Sequence, residues 1–289
     1  MTFSIVAYSP QEQAWGVGVA SKFLASASVV IWARAGVGAV ATQALAKVSF
    51  GPRALDLMAG GLSAEEALAK LLASDEDAED RQVGIVDAQG CVVAHTGLEC
   101  FEYAGHVAGE NFTCQGNILT GRNVLDAMVS AYREAEGELA DRLVAALLAG
   151  DRTGGDRRGR QSAGVLVVKT DGGYGGDNDR YIDLRVDDHD DPVARLGELL
   201  ALHHLYFGKS NPASSLPIET GIASELQTIL ARLGHYKGPI NGAWDTASRE
   251  AFWALVNIEN LEERWSINEH PNFIDPVALH YIRQRFGKP

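Results

Sequence analysis

Apolar and polar positions change their spacing repeatedly along this chain, and each change marks an element. Thr2–Tyr8 is a β-rich run, SPQEQ turns the chain, and WGVGVASKF (15–23) returns it. That pattern predicts an antiparallel hairpin at the N-terminus. Two short apolar runs, Val29–Ala33 and Val37–Gln43, flank Arg34-Ala35-Gly36 and read as strands. Gly51-Pro52 opens a helical pattern through Met58, and Ser63 with Glu66 forms a capping box for a helix over 64–73. Gln82–Asp87 and Cys91–His95 flank the tight turn Ala88-Gln89-Gly90, and Phe112–Ile118 is a further extended run. Helices over 122–135 and 138–149 follow. Ser162–Lys169 and Arg180–Val186 flank the Gly-rich DGGYGGDND, and Asp191-Pro192 starts a helix through Tyr206.

Strand groups thus alternate with helix pairs. A Rossmann sheet would alternate single helices with single parallel strands. The order instead suits an α+β fold: two antiparallel sheets stacked face to face with helices outside, an αββα sandwich. GKSNPASSLPIE (208–219) lacks apolar periodicity and reads as a linker. The expected division is a first domain over 1–208, a linker over 209–221 and a small, mostly helical domain over 222–289.

Composition narrows the function classes. The chain carries 25 basic and 38 acidic residues, a net charge of −13, so no nucleic-acid partner is expected. No apolar run of about 18 residues occurs, so no membrane span is expected either. The opening MTFSIVAYSPQEQ lacks the basic and long apolar regions of a signal peptide, and a cytoplasmic protein is expected. Cys91, Cys100 and Cys114 are odd in number and lack CxxC spacing, which speaks against a disulfide framework and a structural zinc site. No cofactor motif is readable, so neither a cofactor nor a metal is expected. The run VDDHDDP (186–192) lacks EF-hand spacing, and Asp191 there serves as a helix cap.

Eight blocks in one order carry a specific resemblance: MTFSIVAYSP, GVGVASKFLA, ARAGVGAVATQA, RQVGIVD, AHTG, CQGNIL, GGDRRGRQSAGVLVV and NDRYIDLRVDDH. They resemble the domain-of-unknown-function 1028 family over residues 1–208. That family is usually placed in the N-terminal-nucleophile (Ntn) hydrolase superfamily. The resemblance implies an αββα fold and an amidohydrolase acting on a small amide or peptide, without naming a substrate.

The chemistry of such an enzyme can be stated from the residues. A Ser or Thr at a chain start brings its own base, a free α-amine with a pKa of about 8. Thr2 follows the initiator Met, and in an extended strand Thr2 and Ser4 project to one face. Either hydroxyl is a candidate nucleophile. If Met1 stays, or Ser4 reacts, another base is needed; both residues also suit an ordinary strand. Lys22, after Ser21 at the end of the second strand, is a candidate cation beside the nucleophile, with Ser21 a relay or substrate contact. Thr42 and Gln43 end an apolar strand with polar groups, as pocket walls do. Asn117 in CQGNIL offers an amide to a tetrahedral oxyanion. Cys114 sits mid-strand and reads as a buried structural thiol.

The loop GDRTGGDRRGRQSAG (150–164) sets arginines among glycines. Arg158, Arg160 and Gln161 are candidates to hold a substrate carboxylate, with Asp156 orienting an arginine or base. On that basis the alternative to an enzyme is a non-catalytic protein binding a small anion.

Residues 222–255 contain the pattern LQ-x-L-x-x-LG-x-Y-x-GPI-G-x-W ending in AFW, which resembles the helical peptidoglycan-binding-like repeat. A peptidoglycan fragment is therefore a candidate partner, as is cell-wall contact or assembly. Tyr236, Trp244, Phe252 and Trp253 read mostly as core. The remainder, 257–289, packs back on this module or on a neighbouring subunit, and a homo-oligomer is expected.

Overall fold

A computed structural model describes residues 2–208 and 210–287. Met1, whose removal the free-amine chemistry requires, and Lys209, the first residue of the expected linker, lie outside the described residues. Contacts divide the chain into two compact units, Met1–Leu200 and Ala201–Pro289.

The first unit runs β1 (Thr2–Ser9), β2 (Ala14–Ser21), α1 (Ala27–Val30), β3 (Ile31–Arg34), β4 (Gly38–Ala44), α2 (Phe50–Ala59), α3 (Ala64–Ala73), β5 (Arg81–Asp87) and β6 (Val92–Thr96). It continues through β7 (Gly105–Gly109), β8 (Phe112–Asn117), α4 (Asn123–Glu134), α5 (Leu139–Arg152), β9 (Ser162–Val168) and β10 (Arg180–Val186) into α6 (Pro192–Phe207). Six strands form an antiparallel sheet in the order β10-β9-β2-β1-β8-β7, and four form a second in the order β3-β4-β5-β6. This is the αββα sandwich that the order of elements implies.

Alternation along β1 builds two cores at once. Phe3, Ile5 and Ala7 join the core under α4 and α5, while Val6 and Tyr8 join the layer between the sheets. Each fully buried Phe or Ile contributes roughly 1.5–3 kcal/mol. Gly16 and Gly18 on β2 let α5 lie close: a Cβ at either would meet Leu143 at 2.6 Å or Leu147 at 3.0 Å. On the far side, Val40, Val83 and Ile85 of the second sheet pack against α2 and α3. The capping box forms, with Glu66 N–H donating to Ser63 Oγ (3.2 Å) and Ser63 N–H to Glu66 Oε2 (2.9 Å), a motif worth about 1 kcal/mol.

Two local readings differ from the structure. Ala27–Val30 form a single helical turn, closed by Val30 N–H on Ser26 O, so the expected strand over Val29–Ala33 starts at Ile31. β7 was not readable, because GHVAG offers only one large apolar side chain to set a period.

The second unit holds the end of α6, then β11 (Leu216–Pro217), α7 (Thr220–Arg232), α8 (Thr246–Ile258), β12 (Phe273–Ile274) and α9 (Pro276–Phe286). The division falls inside α6 because its leucines change core: Leu196 and Leu200 pack with the first unit, Leu205 with the second. The 209–221 stretch is also more than a linker, since β11 pairs with β12 and Ile218 is buried. The LQ signature has a structural role. Buried Gln227 accepts from Asn241 N–H (3.1 Å) and Gly242 N–H (2.9 Å) and donates to Ala243 O (2.8 Å), holding the GPINGAW turn. Ile274, Ala278, Leu279 and Ile282 enter the same core, so the C-terminal segment packs on its own module. No helix among the described residues is long and apolar enough to cross a membrane.

Candidate functional site

The face of β1 that meets the second sheet reads Thr2, Ser4, Val6, Tyr8, polar at one end and apolar at the other. Strand pairing extends the polar end sideways. Thr2 pairs with Asn117 of β8, Ser4 with Gln115, and Ser21 of β2 with Ser162 of β9. Opposite them, Gln43 of β4 pairs with Gln82 of β5. Hydroxyls and amides from six strands therefore share one end of the sandwich interior.

Their hydrogen bonds form a continuous network. Ser4 Oγ donates to Gln43 Oε1 (2.7 Å) and accepts from Gln115 Nε2 (2.6 Å). Gln43 Nε2 and Asn117 Nδ2 both donate to Gln82 Oε1, at 2.8 and 3.0 Å. Gln82 Nε2 in turn donates to Gly116 O (2.8 Å) and Thr96 Oγ1 (2.9 Å). Gln115 Oε1 is buried without a hydrogen-bond partner, against the bare Cα of Gly84. Buried amides in such a network specify one geometry, because each lost partner leaves a desolvated dipole.

Thr2 and Ser4 differ in access. Thr2 lines a cavity of about 370 Å³, and its Oγ1 lies 3.0 Å from Ser21 Oγ. Ser4 is fully buried beneath it, between two amides, and does not line the cavity. Gln43, Ser26 and Arg81 add polar groups to the cavity wall, and Val29, Val30 and Leu45 supply much of the rest. Ser26 is held by Ser162, whose Oγ donates to Phe23 O (2.6 Å).

The remaining residues singled out by sequence lie outside that cavity wall. Lys22 is exposed, and its ammonium donates to Arg160 O (3.1 Å). Thr42 is buried on the opposite face of β4 from Gln43 and donates to Lys47 O (3.3 Å). Asp156 ties the arginine loop to β2, accepting from Lys22 N–H (2.8 Å) and Arg158 N–H (2.8 Å). Arg158 pairs with Asp156 (3.3 Å) and Arg160 with Asp151 (2.8 Å), both carboxylates nearly buried. Gln161 donates to Asp188 (3.2 Å). The arginines thus meet carboxylates close by in sequence, Asp156 in the loop and Asp151 at the end of α5.

Arg81, like Ser26, is a polar cavity residue that sequence reasoning missed. It opens β5 and donates to Leu45 O (2.6 Å), while its guanidinium pairs with Asp75 (2.8 Å) and Asp77 (3.1 Å). Lys47 reaches the same Asp75 carboxylate (2.9 Å). Hydrogen bonding from Arg81 holds the Asp75 carboxyl well below the usual range, and Asp75 raises Arg81 in return. The available signal was its place in RQVGIVD, next to Gln82, at the mouth of a strand. Burial pushes the Cys114 thiol far above its ordinary value, and Cys100 is raised for the same reason. Neither is a thiolate near neutral pH. Among the described residues no three His, Cys, Asp or Glu side chains assemble a metal-ligand set.

The second unit has its own cavity, about 500 Å³, walled in part by Trp265, His270, Phe273, Glu262, Glu263 and Glu269. Tyr236, Phe252 and Trp265 are buried core residues, and Trp244 and Trp253 are half-buried beside them.

The peptidoglycan-binding domain family PG_binding_2 matches residues 206–282. The crystal structure of protein SPO2555 from Silicibacter pomeroyi, a DUF1028 protein, is similar at 29% identity with a TM-score of 0.64. The match covers 70% of this chain and 89% of that one. Anbu, the ancestral β-subunit from Yersinia bercovieri, aligns at 10% identity with a TM-score of 0.32, over 73% of this chain and 99% of that one. No curated protein matches. The model of the family of unknown function DUF1028 matches residues 2–196, and the chain belongs to that family.

Proposed function

We propose that the first unit is an amide hydrolase of the N-terminal-nucleophile type, with Thr2 as nucleophile and its own α-amine as base. One observation carries the reading: of the two hydroxyls at the polar end of β1, Thr2 borders the cavity and Ser4 is sealed beneath it. The chemistry needs a free amine on Thr2, with whatever precedes it removed. That amine takes the hydroxyl proton as Oγ1 bonds to the substrate carbonyl carbon. The resulting ammonium protonates the leaving nitrogen as the C–N bond breaks, and water then hydrolyses the ester. Ser21, 3.0 Å from Oγ1, orients the nucleophile. Gln43, Gln82 and Asn117 hold that strand end rigid, with the Asn117 amide nearest Thr2 in the sheet register. The anion-binding alternative is less well supported, because Arg158 and Arg160 already pair with aspartates.

Intact and peptide mass spectrometry with a β-lactone electrophile tests this. The probe should add to a peptide that starts at Thr2, and Thr2→Ala should abolish labelling while Ser4→Ala retains it. Labelling that persists in Thr2→Ala overturns the assignment.

For the second unit we propose a peptidoglycan-fragment ligand held at its cavity. The carboxylates of Glu262, Glu263 and Glu269 suit the amino groups of a peptide stem, and Trp265 and Phe273 suit its apolar faces. Titration of the full chain with a soluble muropeptide, with and without Glu269→Gln, tests it; unchanged affinity in the variant removes the cavity from consideration.

A further inference from the structure

We infer that the substrate is the amide of an uncharged aliphatic acid, whose acyl chain fills the cavity beside Thr2. The inference rests on the proposed nucleophile and adds the substrate class. Apart from Thr2, Ser26, Gln43 and Arg81, the wall is apolar: Phe23, Val29, Val30 and Leu45, with Ala44 and Ala46 between them. Thr2 and Gln43 line the part of the wall where the scissile carbonyl would sit. The apolar groups continue outward, where Phe23 is 52% and Leu45 54% exposed. Large apolar side chains held open to solvent around a cavity are a mark of ligand contact.

Charge supports the same class. Arg81 is the one cationic side chain in the wall among the described residues, and it is not available to a substrate carboxylate. Asp75 and Asp77 compensate it, and its remaining reach is used on the Leu45 carbonyl. Its role is to fix the wall, not to read an anion. Lys47, the next cation along, also ends on Asp75. A carboxylate on the acyl chain would therefore enter an apolar space with no counter-ion, which is costly. The backbone bends that shape the cavity are themselves unusual: Ala44 (φ 68°) in its wall and Ala25 (φ 50°) beside Ser26 are left-handed without being glycine. Such conformations persist where the surrounding structure enforces them, and they collect at ligand sites.

Two β-lactones of equal length, one with an alkyl side chain and one ending in a carboxylate, discriminate on the native protein. In each, Thr2 Oγ1 bonds to the lactone carbonyl carbon and the ring C–O bond breaks. The hydroxyl proton passes through the α-amine to the released ring oxygen. The alkyl lactone should label Thr2 at least about tenfold faster, since an unpaired carboxylate must be desolvated. Leu45→Asp, at an exposed position of the wall, should slow the alkyl probe about tenfold and the carboxylate probe at least as much, since like charges then meet in the cavity. Equal rates for the two probes, or no effect of Leu45→Asp, overturn the substrate class while leaving Thr2 as nucleophile. Absence of Thr2 labelling by either probe overturns the nucleophile, and the substrate class with it.

Discussion

Thr2 Oγ1 and Ser21 Oγ lie 3.0 Å apart on adjacent strands, at the open end of a sandwich whose next inward residue, Ser4, is closed off completely. The two β1 hydroxyls share a face but not an environment. One borders a cavity, and the other is part of the packing that keeps the cavity in shape. Substitutions at the two positions should therefore separate reactivity from stability.

Ser4→Ala leaves Gln43 Oε1 and Gln115 Nε2 buried without their shared partner. Unsatisfied buried groups cost about 1–3 kcal/mol each, so Ser4→Ala should lower stability by about 2–6 kcal/mol. Thr2→Ala, at the cavity edge, should change stability by no more than about 1 kcal/mol and lose covalent labelling. Urea unfolding of both variants beside a lactone assay checks the crossover.

Gly84 faces the Gln115 amide so closely that an added Cβ would meet Oε1 at 2.3 Å. Gly84→Ala should force that amide aside, release its bond to Ser4 and destabilise the unit by about 1–3 kcal/mol. Thermal unfolding measures the loss; a neutral result would mean the glutamine has room to move.

Asp75 has a folded-state pKa depressed chiefly by its hydrogen bond from Arg81. A depressed carboxylate contributes stability above its unfolded value, about 3.9, and that contribution is lost as pH falls through the lower folded value. Stability should fall on acidification from about pH 4 downward. Asp75→Asn should flatten that limb, while loosening Leu45 through Arg81. Denaturant midpoints across an acid series read both slopes.

Gln227→Ala removes the acceptor shared by the Asn241 and Gly242 amides and the donor to Ala243 O. The second unit should lose about 2–4 kcal/mol, visible as an earlier transition in tryptophan fluorescence, since Trp244, Trp253 and Trp265 all lie there. An unchanged transition would show that the turn holds without its glutamine.

What the chain determines locally was readable from it. Alternation in TFSIVAYS and WGVGVAS set the central hairpin, and the Ser63–Glu66 cap starts a helix where the residue types predict. The same alternation correctly puts Thr2 and Ser4 on one face, and the eight ordered motifs carry the family. β7 escaped because GHVAG has too little apolar contrast. Within α6, Leu196 and Leu200 join one core and Leu205 another with no break in the helix's periodicity, a change of partner that spacing alone does not mark.

Depth and partner choice were decided only by the tertiary structure. A period of two names a face, but which end of the sandwich opens depends on strands far apart in sequence: Ser4 meets Gln43 and Gln115, and Leu45 meets Arg81. For the same reason Lys22 pointed toward the nucleophile on paper yet extends to Arg160, and the loop arginines found aspartates in the loop and at the end of α5. Charged side chains settle on whichever counter-charge or carbonyl the packed fold brings nearest, and that proximity is a property of the assembled sheets.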